Sequence, residues 1–326
     1  MPKISIIIPV YGVEQYIERC AVSLFEQTIE DVEFIFIDDC TPDKSIEILK
    51  GVIKKYRKRL FDENKLVRIE KMSMNSGQAS VRRYGIQLAK GEYIIHCDSD
   101  DWVEKEAYFK MWEKAIIEEL DIVVCNYVRT NGIQIWPSKI SIDKLGSLDN
   151  KRALSFLLQS KIPTSVWSKL VKADLYKDTR LQYPEHNMWE DYLLSTQIIF
   201  FSKRIGFLEK PYYHYFVNPN SICNVNLEKR HKQLVANCNA IIDFLNSNDL
   251  KDTFREEIIC LKVLARTELD PYLLKRKYYC LWKNTYPEID KVVMSNQLLS
   301  FKEKFKFITK KLRIYPILSV INPARI

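Results

Sequence analysis

The chain has 326 residues, 47% hydrophobic and 28% charged, with a net charge of +8. That suits a globular protein with one large α/β domain and a smaller module, or two domains, and no run approaches the ~18 apolar residues a membrane span needs. The basicity is local: residues 300–326 carry seven Lys/Arg against one acid, Glu303, whereas the first 299 carry 43 basic against 41 acidic residues, so nucleic-acid binding is not expected.

The first third alternates in type. "ISIII" (4–8) is a β-branched run and reads as a buried strand ended by Pro9. It is too short for a signal peptide, so a cytoplasmic location is expected. Val13, Ile17, Cys20, Ala21, Leu24 and Thr28 then recur at helical spacing. "EFIFI" (33–37) is a second strand. Ile46, Leu49, Ile53 and Tyr56 mark a second helix, with "TPD" (41–43) as its start signal and the basic run "KKYRKRL" (54–60) toward its solvated end. "LVRIE" (66–70) is a third strand, 80–89 a third helix with Gly91 just past its end, and "EYIIH" (92–96) a fourth strand. Helix 104–119 leads to a fifth strand, "DIVVCNY" (121–127).

Further along, 151–160 reads as helix, 164–176 as mixed and 190–202 as a strong helix. From 226 onward the pattern is helical, through Leu234, Cys238, Ile241 and Ile242, then Ile258, Leu261, Leu264 and Ala265. The expected division is 1–222, with halves 1–125 and 126–222, followed by a helical region 223–326. No repeat or low-complexity segment interrupts it. Eight cysteines include no CxxC pair, so buried reduced thiols are expected rather than a zinc site or disulfides.

Strands beginning at 4, 33, 66 and 92 are spaced for βαβ units, hence a mostly parallel, Rossmann-like sheet flanked by helices. Ligands bind such sheets beyond the carboxyl ends of the strands. Pro9 to Tyr11, Asp38-Asp39 and Asp98 to Asp101 all lie there. Only eight glycines occur, with no GxGxxG and no GxxxxGK[ST], which disfavours a dinucleotide fingerprint and a P-loop. "DSDD" (98–101) suggests another way to handle phosphates. Carboxylates spaced D-x-D at a strand end can hold a hard divalent cation that in turn binds a diphosphate. The plainer alternative is that these acids cap the next helix.

Residues 3–222 resemble a family-2 glycosyltransferase of the GT-A fold. The stretches that carry the resemblance are "SIIIPVYGVEQYI", "SLFEQT", "FIFIDDCTPDKS", "NSGQASVRRYG", "AKGEYIIHCDSDDW" and, later, "VWSKL" and "WEDYLL". The resemblance implies that the loop after the first strand (Pro9, Val10, Tyr11) holds the nucleoside, with Tyr11 against the base. It implies that Asp39 contacts the uracil, that Asp98 meets the ribose hydroxyls, that Ser99 belongs to the nucleotide-sugar site, and that Asp100 binds Mn²⁺ or Mg²⁺. Asp101 is then expected to cap the following helix. Arg82 matches the arginine of an "ARN" element near the nucleotide. Arg83 departs from that pattern, as does Cys40, which stands where a glycine is usual.

Inverting, metal-dependent transfer from a nucleotide sugar is the reaction implied, with a UDP-sugar as the expected donor and a glycan or lipid-linked hydroxyl as acceptor. Bacterial surface polysaccharide assembly is the implied setting. Asp191 of "MWEDYLL" matches the candidate base and Glu190 is the runner-up; helix capping is the alternative for both. Trp167, Trp189 and Tyr192 could form a sugar platform or simply core, His96 reads as a buried structural histidine, and His186 lies in the loop before Asp191. A nucleotidyltransferase and a catalytically inactive nucleotide-binding protein are the rival functions.

In the tail, Phe301, Phe305, Ile308 and Leu312 recur at helical spacing among lysines, and an apolar stretch follows to residue 321. Such a helix can lie on an anionic membrane surface, on the cytoplasmic face of an inner membrane, or pack on the domain and turn its lysines to water.

Overall fold

The structure, a computed structural model, describes residues 1–138, 145–218 and 226–314. The chain divides into two compact units, 1–224 and 225–326.

In the first unit, β1 (Ile4–Val10), β2 (Val32–Asp38), β3 (Lys65–Lys71) and β4 (Tyr93–His96) are joined by α1 (Ile17–Phe25), α2 (Ser45–Asp62) and α3 (Gln78–Leu88). All three pairings among these strands are parallel, in the order β3-β2-β1-β4. Both faces are covered at β1, β2 and β4, which is why these three read as near-continuous apolar runs, while β3 at the edge stays half-exposed. Ile4, Ile6, Ile8, Phe34 and Phe36 share a core with Cys20, Leu24 and Phe25 of α1 and Leu49 and Val52 of α2. On the other face α3 lies close to β1 and β2, and a Cβ on its Gly85 would meet Ile7 and Ile37.

The strand β1 runs through Pro9, which was expected to end it. The Val10 carbonyl faces β2, accepting from Asp39 N (3.1 Å), and the Ile7 carbonyl faces β4, accepting from Cys97 N (3.0 Å). By alternation Pro9 turns its missing donor toward β4, which has already ended at His96, so no ladder bond is lost.

The rest of the unit extends the same sheet with β5 (Trp102–Val103), β6 (Ile122–Thr130), β7 (Ile135–Pro137), β8 (Ser147–Leu148), β9 (Lys169–Lys172) and β10 (Ile205–Phe216). Its path is β3-β2-β1-β4-β9-β6-β10-β5, with β7 on β6 and β8 on β10. Antiparallel β9 wedges between β4 and β6, so the fourth and fifth strands expected from the sequence are not neighbours. α4 (Ala107–Ile117), α5 (Asn150–Leu158), the single turn α6 (Ala173–Tyr176) and α7 (Glu190–Phe201) complete the unit. The sheet is mostly parallel in its first half and mixed in its second, flanked by helices, as the GT-A resemblance implied.

The helix expected at 104–119 starts at Ala107, because Trp102–Val103 pairs with β10 instead. Asp101 therefore caps no helix: its carboxylate accepts from Tyr213 Oη (2.6 Å) and Phe216 N (2.7 Å) of β10. The expected cap is replaced by a cross-sheet anchor.

The second unit is built from α8 (Leu227–Ser247), α9 (Arg255–Thr267), α10 (Arg276–Asn284) and α11 (Phe301–Lys311), with short 3-10 turns at Asp270–Tyr272 and Pro287–Lys291. Leu269, Leu273, Trp282, Val293 and Phe307 form its core. Buried Arg266 lies over the Trp282 ring (4.6 Å) and donates to Asp290 (2.7 Å) and the Tyr286 carbonyl (2.9 Å). The tail helix α11 packs by Phe307, against Trp282 (5.4 Å), and by Lys310, which pairs with Asp270. It does not bury Phe301, Phe305 or Leu312, which are exposed. Residues 315–321 of the tail lie outside the described residues. Among those described, no helix is long and apolar enough to cross a membrane, and the seven described cysteines are free thiols.

Candidate active site

The carboxyl ends of β1, β2 and β4 bring together the three segments that the sequence separates. Tyr11 stands just past β1 and is 44% exposed. Val10 is fully buried, so only its backbone is available there, and Pro9 is half-buried within the strand. The loop after β1 is tied to the loop after β2: Gly12 N donates to Thr41 Oγ1 (2.9 Å), Glu14 N to Asp43 (2.9 Å) and Val13 N to Ser45 Oγ (3.1 Å). Cys40, in the usual glycine place, takes φ +57. The left-handed turn is thus kept without a glycine, and the Cys40 thiol donates to the Met72 carbonyl (3.2 Å).

Asp39 is buried at the end of β2 and accepts from Ser76 N (2.7 Å) and Gly77 N (3.0 Å). These bonds fix its carboxylate against the start of α3. Gly77 itself has φ +78, and a Cβ there would come within 2.6 Å of Asn187 Nδ2. Asn187 in turn accepts from Ala79 N (3.1 Å), which locks the loop before α7 onto the first turn of α3.

Arg82, one turn into α3, is the hub. It is buried and pairs with Asp98 (2.5 Å) through one nitrogen and with Glu190 through another. Gln78 Nε2 also donates to Asp98 Oδ1 (3.0 Å), while Asp98 N donates to Tyr213 Oη (3.1 Å). Burial alone would lower the Arg82 pKa, but Glu190, Asp98 and Asp191 outweigh it and raise it, so the guanidinium stays charged. Ser99 is buried in the turn between β4 and β5. Asp100 accepts from Asn218 Nδ2 (3.0 Å); burial, then the neighbouring Asp98, push its pKa up against that hydrogen bond. Arg19 stacks over the Trp102 ring (3.8 Å) and donates to the Asp100 carbonyl (2.7 Å) rather than to its carboxylate. Arg83, in contrast to Arg82, points to Tyr183 (5.2 Å to the ring).

At the head of α7, Trp189 adopts φ +62 as the N-cap, which turns Glu190 and Asp191 into the first helical turn. Glu190 reaches Arg82, and Asp191 accepts from Tyr192 N (2.8 Å). Burial, with Asp191 and Asp98 adding to it, raises the Glu190 pKa to about 7 against the pull of Arg82. The Asp191 pKa is also raised by burial, against Arg82 and Lys169. Lys169 is buried and donates to the carbonyls of Pro163 (2.5 Å) and Ser165 (2.6 Å); burial lowers its pKa to about 7, with Asp191 opposing. Burial thus works against charge on both carboxylates of the pair, and the two titrate together rather than as independent groups.

Sequence reasoning missed Arg19, Gln78, Lys169, Asn187, Tyr213 and Asn218. Lys169 lies inside "VWSKL" and Gln78 inside "NSGQASVRRYG", stretches that carry the resemblance without a role for these two; the others reach the site over long sequence separations. Of the expected sugar platform, Trp167 stacks on Tyr213 (4.2 Å) in the core, and Tyr192 is buried with its hydroxyl on the Leu157 carbonyl (2.9 Å). Only Trp189 is half-buried. His96 is fully buried against Tyr176 (5.7 Å), and burial, then Arg82, push its pKa well down, so it is a neutral core residue. His186 is half-buried in the loop before α7.

The donor set can be tested against a divalent cation. Among the described residues no group of three or more His, Cys, Asp or Glu could hold a metal by itself. Mg²⁺-type sites, however, use one or two carboxylates and fill the remaining positions with substrate phosphates and water. Half-buried Asp100 beside half-buried Asp98, with no ion pair to the Asp100 carboxylate among the described residues, fits that pattern.

The family profile described as Glycosyl transferase family 2 matches residues 5–168. The chain is 28% identical over 268 residues to the putative glycosyltransferase EpsH of Bacillus subtilis, across 81% of this chain and 75% of that one. It is 33% identical over 219 residues to the poly(ribitol-phosphate) beta-glucosyltransferase of Bacillus spizizenii, across 66% of this chain and 32% of that longer protein. Among solved structures, Staphylococcus aureus TarS 1–349 in complex with UDP superimposes with a TM-score of 0.67 at 21% identity, across 96% of this chain and 88% of that one.

Proposed function

Because the chain belongs to glycosyltransferase family 2, we propose that it moves a sugar, with inversion, from a UDP-sugar to a hydroxyl of a glycan or lipid-linked acceptor. The observation that carries this reading is the Arg82 bridge, which joins Asp98 of the D-x-D segment to Glu190 beside Asp191. It sets the nucleotide-handling segment next to a carboxylate pair, buried Glu190 and half-buried Asp191, of raised pKa, which suits transfer to a hydroxyl. Family membership sets aside the nucleotidyltransferase.

The roles follow from what each group can do. Tyr11 has the exposed ring for a base, and Asp39, already fixed by two backbone amides, has a spare acceptor for the N3–H of uracil. Asp98, with Ser99 beside it, serves the ribose, and Asp100 is the metal ligand. Bound Mn²⁺ or Mg²⁺ supplies positive charge to a leaving diphosphate. The acceptor oxygen forms its bond to the anomeric carbon as the carbon–diphosphate bond breaks. Asp191 takes the proton of that hydroxyl, with Glu190 as the second member of the pair. A UDP-bound neighbour of the same fold supports the choice of UDP. A relative named for poly(ribitol-phosphate) supports a place in bacterial surface polymer assembly, a setting consistent with work on the cytoplasmic side of the membrane.

Substituting Asp191→Asn tests the assignment. Turnover should fall about 10²–10⁴-fold while nucleotide binding is retained. Unchanged turnover would remove Asp191 from the chemistry.

A further inference from the structure

We propose that α11 is a docking helix for an anionic lipid surface, with Phe301, Phe305 and Leu312 entering the interface. Sequence periodicity alone left two orientations for this helix, and its packing selects one. Phe307 against Trp282 and Lys310 on Asp270 hold one side of the helix in the second unit. Tyr279 Oη donates to the Lys311 carbonyl (2.9 Å) and pins the helix end. With its inner side so fixed, the stripe faces outward: Phe301 is 84% exposed, Phe305 53% and Leu312 61%. At about 100° per residue these three and half-buried Ile308 fall within roughly 60° of one another.

The charges are arranged around that stripe. The same rotation puts Lys304 and Lys311 along one edge and Lys302 along the other. The only acid of the helix, Glu303, is turned away and closes a capping box with Ser300. Lysines on both edges of an apolar stripe can reach anionic headgroups while the rings sink between acyl chains. A second copy of this helix would instead set lysine edges against lysine edges, so charge complementarity favours lipid.

The test is sedimentation of the full chain with vesicles of phosphatidylcholine, with and without phosphatidylglycerol. Binding is expected only with phosphatidylglycerol and should weaken as salt is raised. Lys302→Gln with Lys304→Gln should weaken it about thirtyfold, and Phe301→Ser with Phe305→Ser about tenfold or more, both with unchanged melting temperature. Absence of wild-type binding, or equal binding by both variants, overturns the proposal. Concentration-dependent self-association that the Phe variant abolishes, without vesicle binding, assigns the stripe to a second copy. A lower melting temperature of the Phe variant, again without vesicle binding, assigns it to the chain's own fold. Each of these last two outcomes also overturns the proposal.

Discussion

Arg82 holds two carboxylates from opposite halves of the first unit, one after β4 and one opening α7. Removing one partner of a buried pair leaves uncompensated charge, which costs far more than the pair contributes. Arg82→Met is expected to lower stability by about 3–5 kcal/mol in urea unfolding; a change within experimental error would show that Glu190 and Asp98 find other partners. The same cluster sets a pH dependence. Glu190 is raised to about 7, by burial first and then by Asp191 and Asp98. Protonating the Glu190–Asp191 pair removes the acceptor that the base supplies, so kcat/KM should fall as pH drops through the Glu190 step at about 7 and keep falling below it. A profile flat from pH 8 to pH 5.5 would place the base elsewhere. The two macroscopic steps belong to the Glu190–Asp191 pair and not to either residue alone.

Between elements, close approach decides what the sequence can vary. Gly91 leads into β4 beside β1: a Cβ there would lie 2.5 Å from Ser5 N and 2.7 Å from the Ile4 carbonyl carbon, both backbone. Gly51, inside α2, would meet nothing within 4 Å. Thermal unfolding should therefore show Gly91→Ala destabilised by about 1–3 kcal/mol and Gly51→Ala stabilised by roughly 0.5–1 kcal/mol. Equal effects would contradict the packing described. The elements around β1 to β4 were legible because their apolar runs and helical periods are local signals. The β9 wedge was not, since four residues of antiparallel strand carry no period of their own and are placed by partners about 50 and 80 positions away. Asp101 was misread for a similar reason. An acid before a helical pattern suits a cap, and only the return of β10 supplies the donors it bonds. Asp39, Arg82, Asp98, Asp100 and Asp191 could be named from motif order, whereas the Arg82 bridge among them needed the fold.

For the whole molecule, the first unit holds the family-2 match and the proposed site, and the second carries a tail helix with an outward apolar stripe. The account of the first rests on one claim, that the acids after β4 receive a metal-bound uridine diphosphate. Calorimetric titration of UDP into the full chain, with and without Mn²⁺, tests it most directly, with Asp100→Asn as the companion. Binding that strengthens with Mn²⁺ in the wild type and loses that dependence in Asp100→Asn is the expected result. UDP binding that ignores the metal in both proteins, or its absence under every condition, would contradict it.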